Sequence, residues 1–335
     1  MEDLVISVGI VAFNEENYIE TLLNLLLAQD YPKKQTEILL INSLSTDKTE
    51  EIFERFREQN IEAFYDIKVL LNKGKIQSAG WNEAIRNFSG DALIRLDAHA
   101  RIESDFLRKN AETLLSGEMV CGGKRPNLPA GEGGEELLVH LADASMFGGS
   151  FAKYHSSEEK TYVDTVFHGC YRREVLEKVG FFNEDLGRTE DNDFHSRIRK
   201  AGYKICYNPE IVSYQFSRSS AVASIRQKYG NGYWIGRTVA INPDCISLFH
   251  FVPFLFVLGL IAASVFCIVS PLLLILASSL YGLVNLALSV MSFISSEKKH
   301  ISYLLLPIMF LSLHLSYGIG TFAGLFSLIT KKVNK

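Results

Sequence analysis

Along the first hundred residues, short apolar runs alternate with segments whose apolar residues recur at helical spacing. Leu4 to Ala12 is a β-branched apolar run of the kind that forms a buried strand, and Asn14-Glu15-Glu16 breaks it. Ile19, Leu22, Leu23, Leu26 and Leu27 then mark one face of a helix that Asp30-Tyr31-Pro32 ends. The cycle repeats. Glu37 to Ile41 predicts a second strand, Ser45 to Thr49 supplies a helix N-cap, and Ile52, Phe53 and Phe56 supply its apolar face. Lys68 to Leu71 predicts a third strand, followed by Asn72-Lys73-Gly74 and a helix with Ala79, Ala84 and Ile85. Ala92 to Leu96 predicts a fourth strand that ends at Asp97. This β-α order implies an α/β fold with a mostly parallel, doubly wound sheet. Ligands of such sheets bind at the carboxyl ends of the strands, which singles out Asn14/Glu15, Asn42/Ser43, Asn72/Lys75 and Asp97/His99.

Beyond residue 98 the pattern loosens, and then it changes character. Residues 245–296 and 300–330 contain no Asp, Glu, Lys or Arg. Soluble surfaces need charge, so these stretches predict about three membrane segments, 248–269, 272–294 and 302–329, with a tight turn at Ser270-Pro271. Ahead of them, 211–247 interleaves Arg218, Arg226, Lys228 and Arg237 with Tyr214, Phe216, Tyr229, Tyr233 and Trp234, as an interfacial amphipathic segment would. The plan is thus a soluble part, 1–210, in two halves (1–97 and 98–210), an interfacial segment, 211–247, and a membrane part, 248–330.

Charge divides the same way. The net charge of −4 splits into +4 for 248–335 and −8 for 1–247, so the soluble part lacks the basic face that nucleic acid requires. Cys121, Cys170, Cys206, Cys245 and Cys267 form no C-x-x-C pair, which fits a reducing cytosol. The acidic start lacks a signal-peptide n-region, so the soluble domain is expected on the cytosolic side of an inner or plasma membrane. A hairpin of two spans returns Lys298-Lys299 to that side, as the positive-inside rule wants, whereas a third crossing puts Lys331-Lys332 opposite. The last segment, with Gly318, Gly320 and Gly324, either crosses or re-enters.

Two clusters carry chemistry. Asp97 and His99, at i and i+2, leave a strand on one side and offer oxygen and nitrogen ligands for Mn²⁺ or Mg²⁺. Thr189-Glu190-Asp191-Asn192-Asp193 packs three carboxylates together, where one can hold a raised pKa and act as a general base.

Together these motifs resemble glycosyltransferase family 2, with its GT-A nucleotide-sugar-binding fold, over about residues 4–240. Val8 to Glu16 is similar to the family's opening strand and P-x-Y-N-E turn, and Glu37 to Thr49 to V-V-D-D-G-S-T-D-x-T, with Asn42 and Ser43 in place of its acids. Asn72 to Asn82 resembles N-x-G-x-x-x-A-x-N. Asp97-Ala-His99 stands at the D-x-D metal motif and Glu190-Asp191 at the E-D motif that holds the base. The resemblance implies that Val11, Phe13, Glu15, Asn42, Lys75 and Ser78 line the nucleotide, that Asp97 and His99 hold Mn²⁺ or Mg²⁺, and that Asp191 is the base beside Glu190. It further implies that His168, Gly169, Gln227 and Trp234 face the acceptor.

The Asp97 to Arg101 run and the 226–234 segment resemble the succinoglycan-biosynthesis type of exopolysaccharide transferase. That resemblance implies inverting, metal-dependent transfer from a UDP-sugar to a saccharide on a polyprenyl diphosphate. The Q-x-x-R-W motif of processive synthases is absent. A polyprenyl-phosphate sugar synthase, a processive polysaccharide synthase and a non-catalytic membrane scaffold are the alternatives.

Overall fold

A computed structural model describes residues 4–149 and 158–333, and side chains as far as 328. It divides into two compact units. The first takes in the described residues up to Pro126 and from 158 to Gln215, and the second those from Asn127 to 149 and from Phe216 onward. The sequence plan of one continuous domain to residue 210 therefore differs at 127–149, for a reason given below.

The first unit begins as the pattern predicts. β1 (Ile6–Ala12), α1 (Ile19–Leu27), β2 (Thr36–Asn42), α2 (Thr49–Asn60), β3 (Asp66–Leu71), α3 (Gln77–Asn87) and β4 (Ala92–Asp97) follow in order. β1 pairs in parallel with β2 and with β4, and β2 with β3. The register matches Ala12 with Asn42, Asn42 with Leu71, and Val11 with Asp97, so the four strands end level and their loops gather at one edge.

After β4 come β5 (Arg101–Ile102), α4 (Phe106–Leu115) and β6 (Val120–Lys124), and then β7 (Asn127–Leu128) and α5 (Gly134–Ala144). β8 (Thr161–Val163), β9 (Cys170–Arg172), α6 (Arg173–Val179), α7 (Glu190–Lys200) and β10 (Ile205–Phe216) complete the sheet. Its order is β3-β2-β1-β4-β9-β6-β10-β5. The sheet is mixed, because the short β9 runs antiparallel to both β4 and β6. Ile94 and Leu96 of β4 enter one core with Leu22, Phe53 and Phe106, whereas Leu93 enters the other with Trp81, Phe182 and Phe194.

The second unit contains α5, α8 (Ala221–Thr238), α9 (Val252–Phe266), α10 (Leu272–Ser295) and α11 (Leu306–Val333). Leu137, Leu138, Val139 and Ala142 of α5 bury against Leu306, Met309, Phe310 and Leu313 of α11, which is why 127–149 belongs with the apolar helices. Leu248–Phe266, Leu272–Ser295 and Ile301–Leu328 are long and apolar enough to cross a membrane. The glycines of the last segment do not break it, since α11 is continuous through Gly318, Gly320 and Gly324. The segment expected at 211–247 starts inside β10, and its helix packs along α11 rather than standing alone.

Candidate active site

The loops after β1 and β2 are stitched together. Asn14 and Glu15 donate backbone N–H groups to the Ser45 and Thr49 hydroxyls at 3.0 and 2.9 Å, and Asn14 Oδ1 accepts from Thr46 N at 2.8 Å. Asn72 Nδ2 ties the β3 loop to this pair by donating to Ser43 Oγ at 2.9 Å. Asn14, Lys75 and His168 all hold left-handed φ, at 55°, 62° and 47°. Strained backbone at three loops of one site is the kind that surrounding contacts must enforce.

Among the residues expected at the nucleotide, Phe13 and Lys75 are exposed, whereas Glu15 is half-buried and meets His99 Nδ1 at 3.2 Å. Val11 packs beneath Gly80, where a Cβ would approach it to 2.6 Å, and Ser78 is buried on α3. Asn42 is also buried, with both ends of its amide engaged: Nδ2 donates to Glu50 at 3.1 Å and Oδ1 accepts from Ser45 N at 2.9 Å. In this structure Asn42 shapes the loop.

Asp97 ends β4 with Gln77 Nε2 3.3 Å from Oδ1 and His168 Nε2 3.3 Å from Oδ2. His168 Nδ1 lies 2.8 Å from Ser213 Oγ. Burial alone would raise the Asp97 pKa, but the His168 hydrogen bond and nearby positive charge, that of Arg125 included, hold it well below the usual carboxylate range. Burial meanwhile lowers His168 against the pull of Asp97. A neutral His168 that donates from Nε2 to an anionic Asp97, and accepts from Ser213, satisfies both contacts. Among the described residues no three His, Cys, Asp or Glu side chains form a ready metal cluster. If Asp97 and His99 held a cation they would supply two ligands, and other groups would have to supply the rest.

The E-D pair opens α7. The three carboxylates there differ in their surroundings: Asp193 binds Arg197 at 2.9 Å, Asp191 pairs with Arg95 Nη1, and Glu190 Oε2 is buried with no hydrogen bond. Burial and the Asp191 charge push Glu190 up to about 7, and Arg95 opposes them. Close by, His195 is buried between Tyr171 Oη at 2.8 Å and Thr165 Oγ1 at 2.7 Å. Burial pushes this histidine down to about 4, so it bridges them as a neutral ring. Asn82 sets the approach to α7: its Oδ1 accepts from Phe182 N at 2.7 Å, and its Nδ2 donates to Phe182 O at 3.0 Å. Of the residues expected at the acceptor, His168 and Gly169 adjoin Asp97 and Arg95, while Gln227 and Trp234 lie on α8 in the second unit.

Sequence reasoning passed over Arg95. Its signal was a lone charge inside the apolar Ala92–Leu96 run, read there only as part of a strand.

The family model for glycosyl transferase family 2 matches residues 7–180. A dolichyl N-acetyl-α-D-glucosaminyl phosphate 3-β-D-2,3-diacetamido-2,3-dideoxy-β-D-glucuronosyltransferase of Methanococcus voltae is 30% identical over 331 residues, covering 96% of this chain and 97% of its own. The succinoglycan biosynthesis protein ExoA of Rhizobium meliloti (strain 1021) is 26% identical, over 67% of this chain and 66% of its own. Among solved structures, the mannosyltransferase PcManGT of Pyrobaculum calidifontis, in complex with GDP-Man and Mn²⁺, shares the fold with a TM-score of 0.58 at 18% identity, over 95% and 87% of the two chains. With a motif order, a mixed GT-A sheet and a relative matched over nearly its whole length, the chain belongs to glycosyltransferase family 2.

Proposed function

We propose that this glycosyltransferase moves one sugar from a UDP-sugar to a saccharide carried on a polyprenyl phosphate or diphosphate, by a single inverting displacement. One observation carries the reading: the Asp191 carboxylate is tied through Arg95 to the same strand, and the same strand face, that presents Asp97. Asp191 accepts the proton of an acceptor hydroxyl, and the oxygen so freed attacks the anomeric carbon from the side opposite the leaving diphosphate. Phe13 and Glu15 line the nucleoside, and the Lys75 ammonium meets the phosphates. Asp97 and His99 would hold Mn²⁺ or Mg²⁺, an oxygen-plus-imidazole set suited to Mn²⁺, which would supply positive charge against the departing diphosphate. His168 holds the Asp97 carboxylate in place.

The lipid acceptor is supported by the Methanococcus voltae relative, whose named acceptor is dolichyl-linked, and by three helices able to anchor the enzyme where such a lipid lies. The catalytic unit works on the cytosolic side of a membrane that the chain crosses more than once.

Membranes containing the full chain are incubated with UDP- and GDP-sugars and synthetic lipid-linked monosaccharides, and products are read by mass spectrometry. The expected product is one added sugar on the saccharide. Transfer straight to a lipid phosphate, or a ladder of additions, overturns the reading. Asp191→Asn should lower turnover at least a thousandfold and leave UDP binding within threefold. Near-normal turnover in that variant removes Asp191 as the base.

A further inference from the structure

We propose that Arg95 is a positioning residue for the transfer: clamped between two aromatic faces, its guanidinium fixes the Asp191 carboxylate on the strand that carries Asp97. The inference rests on the reading of Asp191 as the base.

Arg95 sits mid-strand among buried Leu93, Ile94 and Leu96, and its own side chain is only 9% exposed. A cation there is tolerated only when paired and packed. Both conditions are met. Nη1 bonds Asp191 Oδ1, and the guanidinium carbon lies 4.5 Å from the ring centroids of both Trp81 and Phe182. A planar fork held between two rings keeps one orientation, which an ammonium on a flexible stem would not. Strand alternation adds a second constraint. Residues 95 and 97 share one face of β4, while Ile94 and Leu96 enter the opposite core. One rigid strand therefore sets the spacing between Asp97 and the group that holds Asp191.

Among the described residues, the other charged or titratable groups facing Asp191 are Glu190 and His195 on α7 and Tyr171 on β9, and none of them is a permanent cation. Without Arg95, Asp191 is free to turn and stands beside Glu190 uncompensated. The expected loss is in kcat, with donor affinity spared.

The test uses the full chain in lipid nanodiscs, with Arg95→Met and Arg95→Lys. Turnover is followed with the donor and acceptor found by the panel above, and UDP binding by calorimetry. Arg95→Met should lower kcat at least a hundredfold with donor KM and UDP binding within threefold. Arg95→Lys should retain part of kcat, at least tenfold below the unaltered chain, and serves if the Met variant does not fold. Unchanged kcat in Arg95→Lys, or a parallel loss of UDP binding, overturns the proposal. If Asp191→Asn turns over normally, the base reading falls; if Asp191→Asn is inactive while both Arg95 variants turn over normally, the base reading stands and the positioning role of Arg95 falls.

Discussion

Glu190 is 5% exposed, its Oε2 accepts no hydrogen bond, and the Asp191 carboxylate is next to it in sequence and in space. Desolvation and like charge disfavour its ionised form, which is why its pKa rises from 4.5 to about 7. The folded value lies above the unfolded one. Stability from this group is therefore complete below about pH 4.5 and is lost as pH rises through 7. Above that pH an ionised Glu190 costs the fold on the order of 3 kcal/mol. Glu190→Gln is accordingly expected to raise the melting temperature of the detergent-solubilised chain at pH 8 and to change it little at pH 4.5. An equal shift at both pH values would mean that the Glu190 charge is not the cause. The Glu190-Asp191 pair stands out in the sequence, but the different surroundings of its two carboxylates do not. Three acids in five residues look alike until Arg95 and Arg197 each take one. The left-handed backbone of Lys75 was equally hidden, because lysine does not announce a positive φ.

At the scale of elements, β1 to β4 and their helices follow the apolar pattern closely, since β1, β2 and β4 are buried, β3 is half-buried at the end of the sheet, and each helix shows one apolar face. β9, with three residues, is too short for any period to register, and it turns a parallel sheet into a mixed one. The interfacial reading of 211–247 saw cations and aromatics but not glycine spacing. A Cβ on Gly232 would lie 2.0 Å from Tyr317 O, and one on Gly324 2.1 Å from Tyr233 O. Two small-xxx-small faces, Gly232/Gly236 and Gly320/Gly324, thus bring the α8 and α11 backbones together, a pattern informative only once the partner helix is known. Gly324→Ala is expected to destabilise the chain by about 1–3 kcal/mol, as overpacking does. Gly259→Ala is the control: a Cβ there meets nothing within 4 Å. It should be neutral or gain about 0.5–1 kcal/mol from helix propensity. Thermal unfolding in detergent compares the two, and equal effects would show that the α8–α11 contact contributes nothing.

For the whole molecule, the uncharged stretches raise the question of which ends of the helices share a side. α9 ends at Phe266 and α10 begins at Leu272, so the turn expected at Ser270-Pro271 is the tip of a hairpin. Asn285 Nδ2 on α10 donates to Pro307 O at 2.8 Å, and Phe293 meets Tyr303 edge-on, so α10 and α11 run antiparallel from a shared end. At that end Lys298 Nζ lies 3.3 Å from Glu132 Oε1, just before α5. An exposed pair of this kind adds little stability, but it reports position. If α9 and α10 each cross the bilayer, residues 132 and 298 face one side and residue 270 the other, and Lys298-Lys299 satisfies the positive-inside rule beside α5. Single cysteines at 132, 298 and 270, placed in a chain whose native cysteines are changed to serine, can be labelled with an impermeant maleimide in sealed inverted vesicles. Positions 132 and 298 should react from outside, and position 270 only after the vesicles are opened. Reaction at 298 and 270 from the same face would show that the hairpin lies along the membrane surface, and the acceptor lipid would then have to meet the enzyme without a spanning anchor from α9 and α10.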